Sequence, residues 1–421
     1  MYEKTTLENG LRVISKKLEN TKAVTVLVLV GAGSRYETKA INGISHFLEH
    51  MFFKGAKKYT NTKEVSRAID SVGGDFNAFT GKEYAGYYVK VAAEQIDIAM
   101  DVLSDMMIHA KFDPTEIEKE RGVILEEYNM YQDTPMYQIG WDFEQLIFGD
   151  QPLGWDQIGT RELITTVTQK DFQEYKNKLY TPDNTIICIA GNIDHKDAIS
   201  KTEQFFKLED GKKGLEFTPC NQYQSNDRLK VTHKKTEQAH LVIGFPSVPY
   251  KDPEEWSAKI LATILGGNMS SRMFLNVREA QGLCYYVRTE TDEFSDAGTI
   301  STRAGVDTKR VKDAIAAILK EYKDVLDNGV SEEEIQTAKQ YLKGKITLRL
   351  EDSEEYAHLL ARQELLENNI ESVEEINKKI DAVSQASIQK FIKQFFKSEN
   401  LYMALIGPYA DSNEFKDLLK L

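Results

Sequence analysis

The sequence predicts an α+β protein of two homologous domains, each a mixed, mostly antiparallel sheet packed against helices. Three observations lead to this fold class. The chain has 421 residues, which is enough for two or more domains with sizeable cores. A set of residues recurs at a constant spacing of 216 positions. Each half begins with strand-like apolar runs, continues with helical patterns and ends on a further strand, which is typical of sheets covered by helices.

The repeat is clearest near the end of each half. A helical segment, a turn and an apolar strand follow one another there in both copies. The matching pairs, each 216 residues apart, are Val167 and Val383, Asn184 and Asn400, and Gly191 and Gly407. Because one chance match would not bring the others into register, we interpret the halves as two copies of one α+β unit.

The expected boundary between the copies is a polar, glycine-bearing stretch that ends at Arg228. We therefore predict a first, catalytic domain at 1–208, a linker at 209–228 and a second domain at 229–421.

Hydrophobic periodicity and helix or strand end signals predict the elements within each half. In the first half, we expect strands at 11–15, 23–30 and 84–91, and helices at 65–72, 95–108 and 114–131. In the second half, we expect strands at 229–234 and 240–245, and a helix at 254–265.

The composition excludes several classes of protein. With 41% hydrophobic and 28% charged residues, the chain resembles an ordinary soluble globular protein. A formal net charge of −13 disfavours nucleic-acid binding and modestly favours basic peptides. No run approaches the roughly 18 apolar residues of a membrane span, and the N-terminus has no apolar signal core. The three cysteines show no metal or disulfide spacing, so we expect a reducing, cytoplasmic location.

The most informative motif is the run His46-Phe47-Leu48-Glu49-His50. Residues three and four apart share one face of a helix, so both imidazoles can reach one metal ion, with Glu49 beside them. Two imidazoles and a carboxylate suit a catalytic zinc ion that keeps one position open for water. The alternative is a pair of ordinary helix histidines, but burying such groups without a shared partner is costly.

A second helix, expected at 114–131, offers the remaining ligand. At about 100° per residue, Glu120 and Glu127 fall within ~20° of each other on the inward face, between Val123 and Ile124. We predict that Glu127 is the third metal ligand and that Glu120 orients a ligand histidine. The alternative is a charged helix whose register is misjudged by one residue.

These residues resemble a known family of metallopeptidases. The run at 46–50 and the pair Glu120 and Glu127 together resemble the pitrilysin, insulysin and mitochondrial processing peptidase family. The segment 73–80 looks like that family's edge strand, and the segment 278–285 matches its distal arginine and tyrosine. The resemblance covers essentially the whole chain and is to the short, single-unit bacterial processing-type proteases.

The resemblance implies a zinc-dependent endopeptidase that cleaves extended or unfolded peptides. One zinc ion per chain, held by His46, His50 and Glu127, would activate a water molecule, and Glu49 would take its proton. Other divalent metals could occupy the same ligands. The helix at 254–265 has no histidine, so only one half is expected to bind metal.

The resemblance also implies how a peptide is held. A substrate strand would add to the edge at Asn77, Ala78 and Phe79, where backbone hydrogen bonds supply affinity. Arg278 and Tyr285 would contact the substrate backbone or the oxyanion. Short relatives pair, so we predict a homodimer in which the zinc of one chain faces Arg278 and Tyr285 of its partner. The expected partners therefore include peptides and a second copy, but neither nucleic acid nor membrane.

Several alternatives stay open at this point. Arg278 could be a surface helix charge, and Tyr285 a packing residue. The whole chain could be a non-catalytic peptide-binding or structural subunit of a protease-like complex, or a zinc hydrolase of small molecules. The remaining histidines lack ligand spacing, and we expect surface or packing roles for His109, His195, His233, His240 and His358.

Overall fold

The computed structural model describes residues 2–221 and 227–421. By their internal contacts these residues form two compact units, each assembled from three segments of the chain. The first unit comprises Met1–Asn129, Asp156–Thr218 and Thr347–Ser372, and the second comprises Met130–Trp155, Pro219–Ile346 and Val373–Leu421. Residues 222–226 of the expected linker lie outside the described residues.

The elements have the following bounds. The strands are β1 Glu3–Thr6, β2 Arg12–Lys17, β3 Ala23–Val30, β4 Asp75–Thr80, β5 Ala85–Ala92, β6 Thr185–Gly191, β7 Leu229–His233, β8 Gln238–Ser247, β9 Cys284–Glu293, β10 Gly298–Asp307 and β11 Tyr402–Gly407. The α-helices are α1 Ile44–Phe52, α2 Thr62–Asp70, α3 Ile96–His109, α4 Pro114–Asp133, α5 Pro135–Phe148, α6 Arg161–Thr166, α7 Gln169–Leu179, α8 His195–Phe205, α9 Glu255–Ala262, α10 Val311–Asn328, α11 Glu332–Arg349, α12 Ser353–Glu367, α13 Val373–Ala382, α14 Gln385–Phe395 and α15 Asn413–Lys416. Two π-helical turns, Thr263–Gly267 and Phe274–Glu279, lie after α9. Short 3₁₀ turns connect other elements, at Ser34–Tyr36, Lys39–Ile41, Ala93–Gln95, Pro152–Gly154, Pro182–Asn184 and Ser398–Asn400.

The two sheets have the same strand order. It is β1-β2-β6-β3-β5-β4 in the first unit and β7-β11-β8-β10-β9 in the second. In each sheet one pair is parallel, β2 with β6 and β7 with β11, and the other neighbouring strands are antiparallel. Apart from β1, the strands match one for one in chain order. The predicted fold class, two homologous α+β domains with mixed and mostly antiparallel sheets, is confirmed.

The middle of the first sheet is buried on both faces, which explains why β3 is an almost unbroken apolar run. Successive side chains of a strand point to opposite faces. Leu27 and Leu29 belong to a core cluster with Ala357 and Leu360 of α12. Val28, the residue between them, is also buried and points to the opposite face of the sheet.

Helix α12 is fixed to the first sheet by polar contacts as well. The hydroxyls of Thr25 and Ser353 lie 2.8 Å apart in a buried position. Glu364, only 1% exposed, accepts hydrogen bonds from Lys4 at 2.9 Å and Arg12 at 3.4 Å. A buried carboxylate with two cations fixes how the helix lies on the sheet, because its charge must stay paired.

Helix α5 takes the corresponding place on the second sheet. Its residues Ile139, Phe143 and Ile147 share a core cluster with Val242 of β8 and Ala404 of β11. The opposite face of that sheet packs in a larger cluster with α9, α10 and α14.

The chain order and the contact-based units therefore differ in two places. Residues 130–155, from the first copy of the repeat, group with the second sheet, and residues 347–372, from the second copy, group with the first. The linear division at 209–228 stays a prediction about the repeat. In the part of the chain that the structure describes, no helix is both long and apolar enough to span a bilayer.

Candidate metal centre

Helix α1 carries the predicted metal-binding run, and a glycine sets where the helix begins. Gly43 precedes the helix with a φ of 104°, in the left-handed region that favours glycine. A Cβ at Gly43 would lie 2.6 Å from the carbonyl oxygen of Ile158, so a larger residue would require a backbone shift. The apolar residues of α1 are buried in the core, while His46, Glu49 and His50 share the less buried face.

The three predicted ligands lie together. Nε2 of His46 is 3.6 Å from Oε1 of Glu127, and Nε2 of His50 is 3.5 Å from its Oε2. One donor atom of each residue lies within 4.8 Å of the other two. Ligands about 2.0–2.2 Å from one tetrahedral zinc ion are themselves about 3.3 Å apart, so the carboxylate and both imidazoles are spaced for a shared ion.

The charges around this group favour a cation. Burial alone would lower the pKa of His46, but the carboxylates of Glu127, Glu49 and Glu37 outweigh it and raise that pKa. The same negative charge attracts a divalent ion. The three side chains are 16–23% exposed, which leaves the group accessible from solvent. The donor set, spacing and charge therefore fit a zinc ion.

Glu120 lies behind His50 on the buried side of α4. Its Oε1 is 2.9 Å from Nδ1 of His50, and its Oε2 is 2.5 Å from Nζ of Lys54. Burial alone would raise the pKa of Glu120, but the hydrogen bonds from His50 and Lys54 outweigh it and lower that pKa. An ionised Glu120 accepts the Nδ1–H of His50 and so leaves Nε2 free to face Glu127.

Glu49 is held by the edge strand of the first sheet. Its Oε2 accepts a hydrogen bond of 2.6 Å from the hydroxyl of Thr80, the last residue of β4. Its carboxylate also adds to the negative charge around His46, so Glu49 lies near the predicted ligands as well as on the same helix face. A carboxylate in this position can accept a proton from a nearby water.

The start of α1 is capped by a carboxylate from an earlier segment. Glu37, only 4% exposed, accepts the backbone N–H groups of Gly43 at 2.7 Å and Ser45 at 2.8 Å. It also accepts the side-chain amide of Asn42 at 2.9 Å. Burial raises the pKa of Glu37 to about 7, although these bonds favour its charged form. Glu37 thus satisfies N–H groups that a helix start leaves without partners.

Strand β4 carries the predicted peptide-binding residues. It pairs antiparallel with β5, and no strand of the described residues pairs with its other side. Asn77 is exposed, and its side-chain oxygen accepts the backbone N–H of Ala78 at 2.9 Å. The ring of Phe79 packs 5.0 Å from that of His358 on α12, so its side chain is engaged inside the unit.

Arg278 and Tyr285 belong to the second unit. Arg278 lies on the π-helical turn Phe274–Glu279, with its guanidinium 4.5 Å above the ring of Phe274. Tyr285, on β9, is 75% exposed, so a packing role does not account for it. Their roles toward a substrate stay predictions.

One prediction for α4 is wrong. Val123, predicted to flank the inward face, is 51% exposed. The buried residues of the helix are Ile117, Glu120 and Ile124, and Val123 is turned by about 100° from Ile124 toward solvent.

Three residues of the site were missed by sequence reasoning. Lys54 lies in the turn that follows α1, two residues beyond its end, so the helical period alone does not place it against Glu120. Glu37 and Thr80 reach α1 from other elements, and no local pattern connects them with it.

A histidine–histidine–glutamate group built on an H-x-x-E-H run, with the motif glutamate beside it, is the pattern of the inverzincin metallopeptidases. A model of the family described as insulinase (peptidase family M16) matches residues 12–146, and one described as the peptidase M16 inactive domain matches residues 166–342. The chain therefore belongs to peptidase family M16, and the predicted resemblance is confirmed.

Individual relatives agree with this assignment. The chain is 34% identical to the uncharacterized zinc protease YmxG of Bacillus subtilis, over 97% of this chain and 98% of that protein. Its fold is similar to that of a solved protease from Helicobacter pylori, with a TM-score of 0.87, 22% identity and coverage of 97% of this chain and 99% of that one. It is also similar to a solved peptidase M16 inactive domain from Pseudomonas fluorescens, with a TM-score of 0.90, 15% identity and coverage of 98% and 99%.

Proposed function

We propose that this chain is a zinc-dependent endopeptidase that cleaves extended or unfolded peptides. The observation that carries the proposal is the convergence of His46, His50 and Glu127 within 4.8 Å, with Glu49 on the same helix face as the histidines. The name zinc protease, given to YmxG, supports the same metal and chemistry.

Each residue of the site would have a distinct task. When bound, a zinc ion would polarise the scissile carbonyl and make water easier to deprotonate. Glu49 accepts the proton of the attacking water and later delivers it to the leaving amine. Glu120 keeps Nε2 of His50 directed at Glu127 by accepting the hydrogen on Nδ1. The ligand set, His46, His50 and Glu127, is the one predicted from the sequence.

The peptide would bind as an added strand along the open side of β4. Backbone hydrogen bonds there demand an extended chain but little particular sequence, which favours unfolded substrates. The side chain of Asn77 would have to release the N–H of Ala78 for a peptide carbonyl to take its place. Arg278 and Tyr285 would supply donors to the substrate backbone or to the developing oxyanion.

The test is cleavage of a quenched, unstructured, mildly basic peptide by the wild type and by Glu49→Gln, with zinc content measured on both. The amide has the shape of the carboxylate but cannot accept the proton, so kcat should fall by about two to four orders of magnitude. Zinc stoichiometry should not change. Glu126→Gln, an exposed neighbour of the ligand Glu127 on α4, is the matched control and should behave as the wild type.

Other outcomes identify the alternatives. A wild type that holds zinc and binds peptide without cleaving it would be a non-catalytic subunit. A wild type that hydrolyses small amides but no peptide would be a small-molecule hydrolase. Equal activity of wild type and Glu49→Gln would remove Glu49 as the base.

We also propose a homodimer with composite sites, in which Arg278 and Tyr285 act on the peptide held by the partner chain. Glu49→Gln and Arg278→Ala should each be nearly inactive alone. Mixed under conditions that allow subunit exchange, they should recover activity, because the Glu49 of one chain meets the Arg278 of the other. A mixture that stays inactive although mass spectrometry detects mixed dimers would contradict composite sites, as would an active monomer.

A further inference from the structure

The hydroxyl of Thr80 is the one described side-chain group that donates a hydrogen bond to the carboxylate of Glu49. The distance of 2.6 Å lies in the range of strong O–H···O⁻ bonds, in which the acceptor carries a charge. Oε2 of Glu49 is engaged in this way, whereas Oε1 accepts no hydrogen bond from the described residues. The bond thus fixes the position of the carboxylate against the end of β4 and leaves Oε1 as the less engaged oxygen.

Thr80 has a rigid backbone from which to hold Glu49. It is the last residue of β4 and pairs with Ala85 of β5. The turn that follows is closed by a hydrogen bond of 2.8 Å from Gly81 N–H to the carbonyl of Tyr84. A preceding segment also holds this turn in place, because the backbone N–H of Arg35 donates a hydrogen bond of 2.8 Å to the carbonyl of Lys82. Threonine is also restricted at χ1 by its branched Cβ, so its hydroxyl has little freedom.

Glu49, in contrast, has a flexible side chain. A glutamate has three rotatable bonds between its backbone and its carboxylate, and ordering such a side chain costs conformational entropy. A base that must meet a water proton at hydrogen-bond distance gains from being held in place before the substrate arrives. Thr80 is suited to provide this, because it contacts Glu49 directly and does not belong to the metal ligand group.

We propose that Thr80 is a positioning residue for Glu49, and that it makes the orientation of the general base depend on strand β4. The inference rests on the proposed function and extends it. β4 carries both Thr80, at its end, and Asn77 and Ala78, where the peptide is expected to add. The peptide is therefore expected to lie along the same strand that orients the base.

The test compares Thr80→Val with Thr80→Ser. Valine keeps the branched shape and loses the hydroxyl, whereas serine keeps the hydroxyl and loses a methyl group. Thr80→Val should lower kcat by about 10- to 100-fold with KM unchanged, because a base slightly out of place loses rate and not binding. Thr80→Ser should retain most of the wild-type kcat. Zinc stoichiometry and melting temperature should match the wild type in both variants.

Two further comparisons separate positioning from a general structural effect. In the Glu49→Gln background, Thr80→Val should cause no additional loss of rate, because the base that it would orient is absent. Thr168→Val is the matched control, since its hydroxyl makes an equally short bond of 2.6 Å to the carboxylate of Asp171 in the cap of α7. That variant should keep the wild-type kcat.

Three results would overturn the inference while the proposed function stands. They are an unchanged kcat for Thr80→Val, a serine variant as slow as the valine variant, and a loss of zinc or of folding that accounts for the slower rate. A wild type that cleaves no peptide would remove the proposed function and the inference together. The peptidase activity of the wild type is therefore measured first.

Discussion

Glu120→Ala is the perturbation whose consequence can be worked most directly from the structure. Glu120 accepts Nδ1–H of His50 at 2.9 Å while Lys54 pairs with its other oxygen. Its side chain is only 5% exposed, so water cannot replace the lost acceptor easily. The substitution leaves His50 free to rotate or to move its hydrogen to Nε2, and it leaves Lys54 without its carboxylate.

The magnitude follows from the type of bond that is removed. A hydrogen bond to a charged group contributes about 1.5–3 kcal/mol. With about 1.4 kcal/mol for each factor of ten, the zinc dissociation constant should rise roughly 10- to 100-fold for Glu120→Ala. Glu120→Gln keeps an oxygen that can accept from His50 but lacks the charge. It should fall between the wild type and Glu120→Ala, because neutral bonds are about half as strong.

The assay is competition for zinc with a chromophoric chelator at neutral pH, with melting temperature measured on the same samples. Glu126→Gln, on the exposed side of the same helix, controls for a change of net charge and should bind zinc as the wild type does. Zinc affinity of Glu120→Ala equal to that of the wild type would refute the reasoning. It would mean that the contact between Glu120 and His50 does not influence the proposed metal ligands.

Two other predictions concern stability. Glu364→Gln should lower the free energy of unfolding by about 3 kcal/mol, at the lower end for breaking a buried ion pair, because the side chains of Lys4 and Arg12 are 37% and 17% exposed and stay partly hydrated. Urea unfolding measures this loss. Glu334 has a pKa lowered to about 2, because hydrogen bonds from Arg272 and Ser331 outweigh its burial. Since this lies below its ordinary value of 4.5, the stabilisation is present above pH 4.5 and is lost as pH falls toward 2. The difference in unfolding free energy between wild type and Glu334→Gln should shrink over that range.

Each stability prediction has a neighbouring control. Glu355 lies on α12, as Glu364 does, and forms an exposed ion pair with Arg349. Glu355→Gln removes that ion pair and should change the free energy of unfolding little. Glu333→Gln changes an exposed carboxylate next to Glu334 and should give no pH-dependent difference. An effect of Glu364→Gln as small as its control, or a Glu334→Gln difference that is constant with pH, would contradict the assignments.

The parts of the site that the sequence predicts are those that depend on local periodicity. Three- and four-residue spacing on a helix brings His46, His50 and Glu49 to one face, and the same period sets Glu120 beside Glu127 on α4. Val123 shows the limit of this reasoning. The helical period gives the angles between side chains, but it does not give which of them face solvent. Contacts such as that of Thr80 with Glu49 depend on how a strand and a helix pack, which the local pattern does not encode.

The fold shows the same contrast on a larger scale. The offset of 216 residues predicts two copies of one unit, and the equal strand orders bear this out. The exchange of α5 and α12 could not be predicted in this way. Both helices have buried apolar residues, and amphipathic patterning says that a helix face needs a cover without saying which sheet supplies it.

The exchange of α5 and α12 between the two sheets determines whether the chain can be divided into two separate polypeptides. A split at the repeat boundary would give two polypeptides, each lacking a helix that its own sheet requires and carrying one that it cannot bury. Leu27 and Leu29 would lose the cover of α12, and the second sheet would lose Ile139 and Phe143 of α5. The two products would have to associate to fold, as the subunits of an obligate heterodimer do. We therefore expect that deletion of the second copy, although it has no histidine at the position of the motif, would remove α12 and destabilise the first sheet.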